Sequence, residues 1–172
     1  MGVGIKKISI ISGFEIVIEF LSKNIYPIAF FLKKHSLYQF KMIIDIVCYD
    51  IPHTKKRFSL IYNFLSVHYN IRCRIITKID ELNNFFSIIG IYRSANWSER
   101  EIFDFFGVFF NTNNDLRRIL TDYGFKGFPL RKDFPLTGYT DVYYDDNQKC
   151  ICYRNLELIQ EYRNFGVKNY WL

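Results

Sequence analysis

Ile71-Arg72-Cys73-Arg74-Ile75-Ile76-Thr77-Lys78-Ile79 is the stretch that decides the fold. Ile71, Cys73, Ile75, Thr77 and Ile79 alternate with Arg72, Arg74, Ile76 and Lys78, the period-two pattern of a strand with one buried and one mostly wet face. Tyr69-Asn70 just before it reads as a hairpin turn, and Phe58 to Val67 beyond that turn as the partner strand. Further upstream, residues 40–49 (F-K-M-I-I-D-I-V-C-Y) have few polar breaks and predict a well-buried strand ended by Asp50 and Pro52. Three strands with short connections imply antiparallel pairing. Phe14 to Phe20 adds a strand, and Pro27 to Tyr38 carries Phe30, Phe31, Lys34 and Leu37 at helical spacings. The expected class is α+β: a small antiparallel sheet with flanking helices on one face, followed by a long irregular C-terminal extension.

Residues 80–96 lead from this sheet to a helix with several start signals. Ser98 is positioned as N-cap and Glu101 as the return arm of a capping box. Trp97 and Ile102 are spaced as a hydrophobic staple, which predicts a buried Trp97, and Arg100 and Asp104 are spaced to pair across one turn. Ile102, Phe105, Phe106 and Phe109 form an apolar stripe, with Gly107 as the stop. A well-capped core helix accounts for these residues without any further function.

The next segment resists such a reading. After one short amphipathic turn (Asp115, Leu116, Ile119, Leu120), residues 111–138 keep neither helical nor strand period, and Gly124, Gly127, Pro129, Pro135 and Gly138 punctuate them. Tyr123, Phe125, Phe128, Leu130, Phe134 and Leu136 are nevertheless interleaved with Arg117, Arg118, Arg131, Lys132 and Asp133. Long loops without secondary structure are functional or disordered, and disordered segments lack aromatics. This segment must therefore lie on a surface, either the domain's own or a partner's, and we expect a partner to order it. The expected division is a sheet and helix domain over 1–110 and a partner-binding segment and tail over 111–172.

With 172 residues and 49% hydrophobic content the chain has material for one core-bearing domain and an extension. A net charge of +6 suits nucleic acid, an anionic membrane surface or an acidic protein, but the basic residues come in scattered pairs rather than one stripe. Aromatics at 19% with alanine only at positions 29 and 95 suggest an AT-rich coding bias, so the aromatic surplus carries no functional weight. Cys48, Cys73, Cys150 and Cys152 lack zinc-site spacing, and His35, His53 and His68 are dispersed; free thiols and no metal site are expected, although Cys150 and Cys152 would share one strand face. Gly2 and Gly4 do not make a dinucleotide fingerprint, no P-loop is present, and Glu99 and Glu101 point in different directions on a helix. No catalytic or cofactor-binding residue is expected. Residues 8–20 carry Glu15 and Glu19 and read as strand rather than transit peptide. The apolar run Ile25 to Leu32 is too short to span a bilayer, so membrane contact is expected to be indirect.

Asn96-Trp97-Ser98-Glu99-Arg100-Glu101, Phe103-Asp104, Phe106-Gly107, Asp115-Leu116-Arg117-Arg118-Ile119-Leu120, Gly127 and Pro129-Leu130-Arg131-Lys132-Asp133-Phe134-Pro135-Leu136 together resemble the 30 kDa subunit family of respiratory complex I, which has a bacterial C-subunit counterpart. The resemblance is close over residues 96–138 and looser over 38–172. It implies a non-catalytic structural subunit in the peripheral arm of NADH:ubiquinone oxidoreductase, packing on the 49 kDa subunit that helps form the quinone site. It supports electron transfer from NADH to ubiquinone coupled to proton translocation. FMN, iron-sulfur clusters and ubiquinone would belong to other subunits.

The place implied is the matrix side of the mitochondrial inner membrane, or the cytoplasmic side of a bacterial one. Lack of a transit peptide and AT bias fit synthesis within the organelle. Arg117, Arg118, Arg131, Lys132, Asp133, Phe134 and Pro135 are then expected at a partner contact or in ordering the segment, while Trp97, Ser98, Glu101, Phe105 and Phe106 fix the helix. A solvated loop is the plainer reading of the charges. Tyr143-Tyr144-Asp145-Asp146-Asn147 reads as a turn between two short strands, and Glu157 to Phe165 as a polar tail ending at Trp171. Tyr143 replaces the family's usual Arg, Cys150-Ile151-Cys152 its Arg-Val-Val, and Arg154-Asn155 its Glu-Pro. The alternative function is a basic RNA-binding or ribosome-associated α+β module, for which Gly124-Phe125-Lys126-Gly127-Phe128 only loosely echoes the RNP1 pattern.

Overall fold

The computed structural model describes residues 5–11, 15–20, 25–163 and 165–166. Gly2, Gly4, Phe14 and Trp171, used in reading the sequence, lie outside the described residues. Two compact units are present, Met1–Phe134 and Pro135–Leu172.

The first unit is built on strands β1 (Ile5–Ile11), β2 (Glu15–Phe20), β3 (Met42–Asp50), β4 (Phe58–Ser66) and β5 (Ile71–Ile79), with helix α1 (Tyr26–Lys34) between β2 and β3. The sheet order is β1-β2-β5-β4-β3. β3, β4 and β5 form the expected antiparallel meander, and Asn70, at φ 53°, makes the tight β4–β5 turn. β2 pairs with β5 in parallel, Ile16 beside Cys73 and Ile18 beside Ile75. The sheet is thus mostly antiparallel, as expected, with this one parallel pair: α1 and the β3–β4 hairpin carry the chain across the sheet between β2 and β5, which leaves the two pointing the same way. Residues 8–20, read as one strand, are two strands paired back to back.

Alternation along β5 places Cys73, Ile75, Thr77 and Ile79 inside, with Phe58, Leu60, Tyr62 and Phe64 of β4 beside them. Ala29 and Leu32 of α1 close part of this face, whereas Phe30, Phe31 and Leu37 stay exposed. α1 stops at Lys34 because His35 turns extended (ψ 130°), earlier than the expected Tyr38.

Helix α2 (Ala95–Phe106) packs on the same core through Ala95, Ile102 and Phe106. Two two-residue strands, β6 (Phe85–Phe86) and β7 (Phe110–Asn111), pair in parallel on either side of α2 in the sequence. Gly107 ends α2 in the left-handed conformation, its N–H donating to the Phe103 carbonyl. A Cβ there would also lie 2.6 Å from the Phe128 ring, so this position serves both the helix stop and a close approach.

The second unit contains a hairpin of β8 (Thr140–Asp145) and β9 (Cys150–Asn155), the two short strands expected there; Tyr143, Tyr144 and Asp145, read as part of the turn, belong to β8, and the turn itself is 146–149.

Candidate functional site

α2 begins one turn earlier than its sequence signals indicate. Ala95 is fully buried and its N–H donates to the Tyr92 carbonyl, so the chain turns into the helix before Ser98 is reached. Ser94 occupies the N-cap position without a side-chain cap bond. Ser98 is thus not the N-cap and forms no capping box with Glu101, which is exposed; its hydroxyl lies 3.4 Å from Asp45 Oδ1. The Trp97–Ile102 staple is likewise corrected. Trp97 is 64% exposed, with the Arg100 guanidinium 5.0 Å from its ring centre. Of the expected stripe, Ile102 and Phe106 are buried, Phe105 half-buried and Phe109 exposed.

The one-turn shift leaves three acidic or basic side chains on the inner side of α2: Glu99, Arg100 and Asp104 are all buried. Asp104 organises the loop that follows. Its Oδ2 accepts from the backbone N–H groups of Ile119 (3.2 Å), Leu120 (2.8 Å) and Thr121 (2.9 Å). Its Oδ1 accepts from the Thr121 hydroxyl at 2.6 Å and from Arg118 Nη1 at 3.1 Å. Burial pushes the Asp104 carboxyl up, but the Thr121 hydroxyl and the three N–H donors outweigh it and hold the group below the usual carboxylate range. Arg118 also donates to the Gly127 carbonyl and faces the Phe125 and Phe128 rings. Arg100, expected to pair with Asp104, turns instead to Asp115 at 3.7 Å.

A second buried carboxylate, Asp50 at the end of β3, fixes the far end of the same segment. Arg57 grips it through two bonds of 2.8 Å, from Nε and Nη2, and the Lys132 N–H donates to Oδ2 at 2.9 Å. Hydrogen bonds from Arg57 are the main reason the Asp50 carboxyl sits below its ordinary pKa. Arg57 Nη2 reaches Asp133 at 3.0 Å and its Nη1 reaches Glu81 at 3.2 Å. Glu81 in turn accepts from Arg131 at 2.5 Å, and Arg131 Nε donates to the Phe106 carbonyl at 2.6 Å while its guanidinium lies over Phe58 and Phe128.

Arg118, Arg131 and Asp133 therefore pair within the chain. Lys132 is held by its backbone, with an exposed side chain. Arg117 is exposed beside Asp115, Phe134 packs its ring 5.9 Å from Phe125, and Pro135 opens the second unit. Asp104 and Asp50, both from the chain's own domain, hold the two ends of this segment. Its outer side chains remain free of the core, Tyr123 being 99% exposed and Leu120 and Leu130 more than half exposed.

Sequence reasoning missed Asp50, Arg57, Glu81 and Glu99 and mispaired Asp104. The available signal was an acidic residue inside or ending an apolar run: Asp104 within Phe103-Asp104-Phe105-Phe106, and Asp50 closing a buried strand. Such a residue must be satisfied by something distant.

The RNA-binding alternative needs aromatic side chains displayed on the sheet. Phe58, Tyr62 and Phe64 are instead buried in the core, and Gly124 to Phe128 lies in a loop, not on a strand. Among the described residues no group of three or more His, Cys, Asp and Glu side chains is placed to hold a metal ion. No helix among them is long and apolar enough to cross a membrane.

Residues 18–140 match the family model described as the respiratory-chain NADH dehydrogenase 30 kDa subunit. NADH-ubiquinone oxidoreductase subunit 9 of Prototheca wickerhamii is 51% identical, over 84% of this chain and 76% of the relative. Its counterpart in Reclinomonas americana is 46% identical over 95% and 80%. The NADH-quinone oxidoreductase C-subunit of Ruegeria pomeroyi is 45% identical over 91% and 78%. The fold is also similar to that of a chain in the structure of an archaeal membrane-bound sulfane sulfur reductase, at a TM-score of 0.67 and 23% identity, covering 76% of this chain and 77% of that one. On the family match and these relatives, the chain belongs to the family of the 30 kDa subunit of the respiratory-chain NADH dehydrogenase.

Proposed function

We propose that this chain is a structural subunit of the peripheral arm of respiratory complex I, supporting NADH-to-ubiquinone electron transfer coupled to proton translocation without catalysing a step itself. One observation carries the reading beyond family membership. The segment 115–134 is pinned from within by Asp104 and Asp50, and yet holds Leu120, Tyr123 and Leu130 out to solvent. A rigid loop with outward apolar side chains is suited to contact with another protein, since such groups cost free energy when left in water. Arg117 and Lys132, exposed on the same segment, would lie at the rim of that contact.

The partner in this reading is the 49 kDa subunit, on the matrix side of the mitochondrial inner membrane, with membrane contact through other subunits only. FMN, iron-sulfur clusters and ubiquinone reside in those other subunits. The β8–β9 hairpin supports a second contact. A lone two-stranded hairpin is marginal in water, and Val142, Tyr144, Ile151 and Tyr153, which pair across it as Val142–Tyr153 and Tyr144–Ile151, are all exposed.

Affinity purification of the tagged chain from solubilised inner membrane tests the proposal. Complex I subunits in the eluate, with NADH-dependent quinone reduction, are the expected result. RNA or ribosomal proteins in their place would overturn it.

A further inference from the structure

Cys48 and Cys73 are buried, and burial pushes both thiols up to about 12, which makes them inert packing residues. Cys150 and Cys152 are different. They project from one face of β9, outside any core, with their sulfurs 3.7 Å apart. The hairpin turn brings a third donor to them. Lys149, in the left-handed conformation at φ 52°, folds the chain back so that Gln148 Oε1 stands 3.7 Å from Cys150 Sγ and 3.7 Å from Cys152 Sγ.

These three atoms form an equilateral triangle, and its size is informative. A tetrahedral cation with bonds of about 2.3 Å to sulfur and about 2.1 Å to oxygen spaces two sulfurs about 3.8 Å apart and sulfur from oxygen about 3.6 Å apart. The triangle is one face of such a tetrahedron. A disulfide fits less well, because two cysteines separated by one residue on an extended strand lie near the upper limit of the Cα separation, roughly 6.8 Å, that a disulfide bridges.

We propose that Cys150, Cys152 and Gln148 form a binding site for a thiophilic divalent cation of the zinc type, with water in the fourth position. Binding replaces two S–H protons, which leave to solvent, by two metal–thiolate bonds; no oxidant is involved. The negative charge of Asp145, directly across the ladder from Cys150, favours a cation here. Arg154, the cation on the same strand face, is engaged by Asp141 at 2.9 Å. A bound ion would fasten the hairpin turn and so stiffen a unit that two strands alone hold weakly.

The test is Zn2+ titration of the reduced, purified full chain against a chromophoric chelator, repeated with Cd2+ to read the thiolate charge-transfer band. One cation per chain is expected, with tight binding lost in Cys150→Ser and in Cys152→Ser and weakened in Gln148→Ala. Gln148→His, which supplies a better zinc ligand at the same corner, is expected to tighten binding, a gain that misfolding cannot produce. One cation per two chains, undiminished binding in the Cys150→Ser/Cys152→Ser double variant, or no binding by the unsubstituted chain would each overturn the proposal.

Discussion

The enclosed carboxylate of Asp104 meets the Arg118 guanidinium at 3.1 Å, joining the last turn of α2 to a loop 14 residues further on. The same carboxylate accepts three successive backbone N–H groups, so it is the anchor on which residues 118–121 are wound. Asp104→Asn keeps the shape but turns an N–H2 group toward these donors and leaves Arg118 without its counter-charge. We expect a loss of about 3 to 5 kcal/mol in chemical denaturation. Because the Asp104 carboxyl is held below its usual range, its contribution is complete above an unfolded-state value of about 3.9 and disappears as pH falls through the lower folded value. The variant should lack that acid limb of the stability profile.

Arg57 separates a buried ion pair from an exposed one on a single side chain. Asp50 is enclosed, whereas Asp133 is 62% exposed in its side chain. Arg57→Ala strands Asp50 and should cost about 3 to 5 kcal/mol, while Asp133→Ala should cost no more than about 1 kcal/mol. Equal losses in the two variants, measured by urea unfolding, would contradict the assignment of Asp50 as the anchor.

Glu99 reverses the pH argument. It is fully buried, its neighbours are hydrogen-bond donors (Ile88 N–H at 2.9 Å and Asn113 Nδ2 at 3.1 Å) rather than cations, and burial raises its pKa. A carboxyl raised on folding holds its proton longer in the native state, so its contribution is greatest below the unfolded value of about 4.3 and declines as pH rises through the folded one. Glu99→Gln should therefore flatten the decline in stability as pH rises above the unfolded value of about 4.3. An unchanged slope in unfolding curves taken across that range would show that Glu99 ionises as freely as an exposed carboxylate.

Legibility in the sequence followed how local the determining interactions are. β5 was readable to its last residue because alternation is a property of neighbours, and Gly107 because a left-handed helix stop favours glycine. The parallel β2–β5 pairing was not readable, since it depends on a crossover through α1 and a hairpin. The start of α2 misled because Ser98, Glu101 and Trp97 satisfy a local capping pattern, whereas burial of Ala95 against the core decides where the helix begins. The loop after Asn111 lacks period because side chains distant in sequence, Asp104 and Asp50, supply its order, and no window of nearby residues contains that information.

Trp97 illustrates the consequence for a single side chain. Read from spacing, Trp97→Ala would open a core cavity; with the ring 64% exposed and Arg100 over its face, the loss should be about 0.5 to 1 kcal/mol. Differential scanning calorimetry of the isolated chain distinguishes this from the 3 to 5 kcal/mol roughly expected of a buried aromatic.

The most direct test of the account is to substitute the outward side chains that no core contact explains. Tyr123→Ser with Leu130→Ser in the full chain, introduced in place of the native copy, should leave the melting temperature of the purified protein within about 2 °C of the original. It should also deplete assembled complex I on native gels, together with NADH-dependent quinone reduction. Full assembly and activity with both side chains removed would contradict the claim that this self-anchored segment is the face the subunit presents to its neighbour.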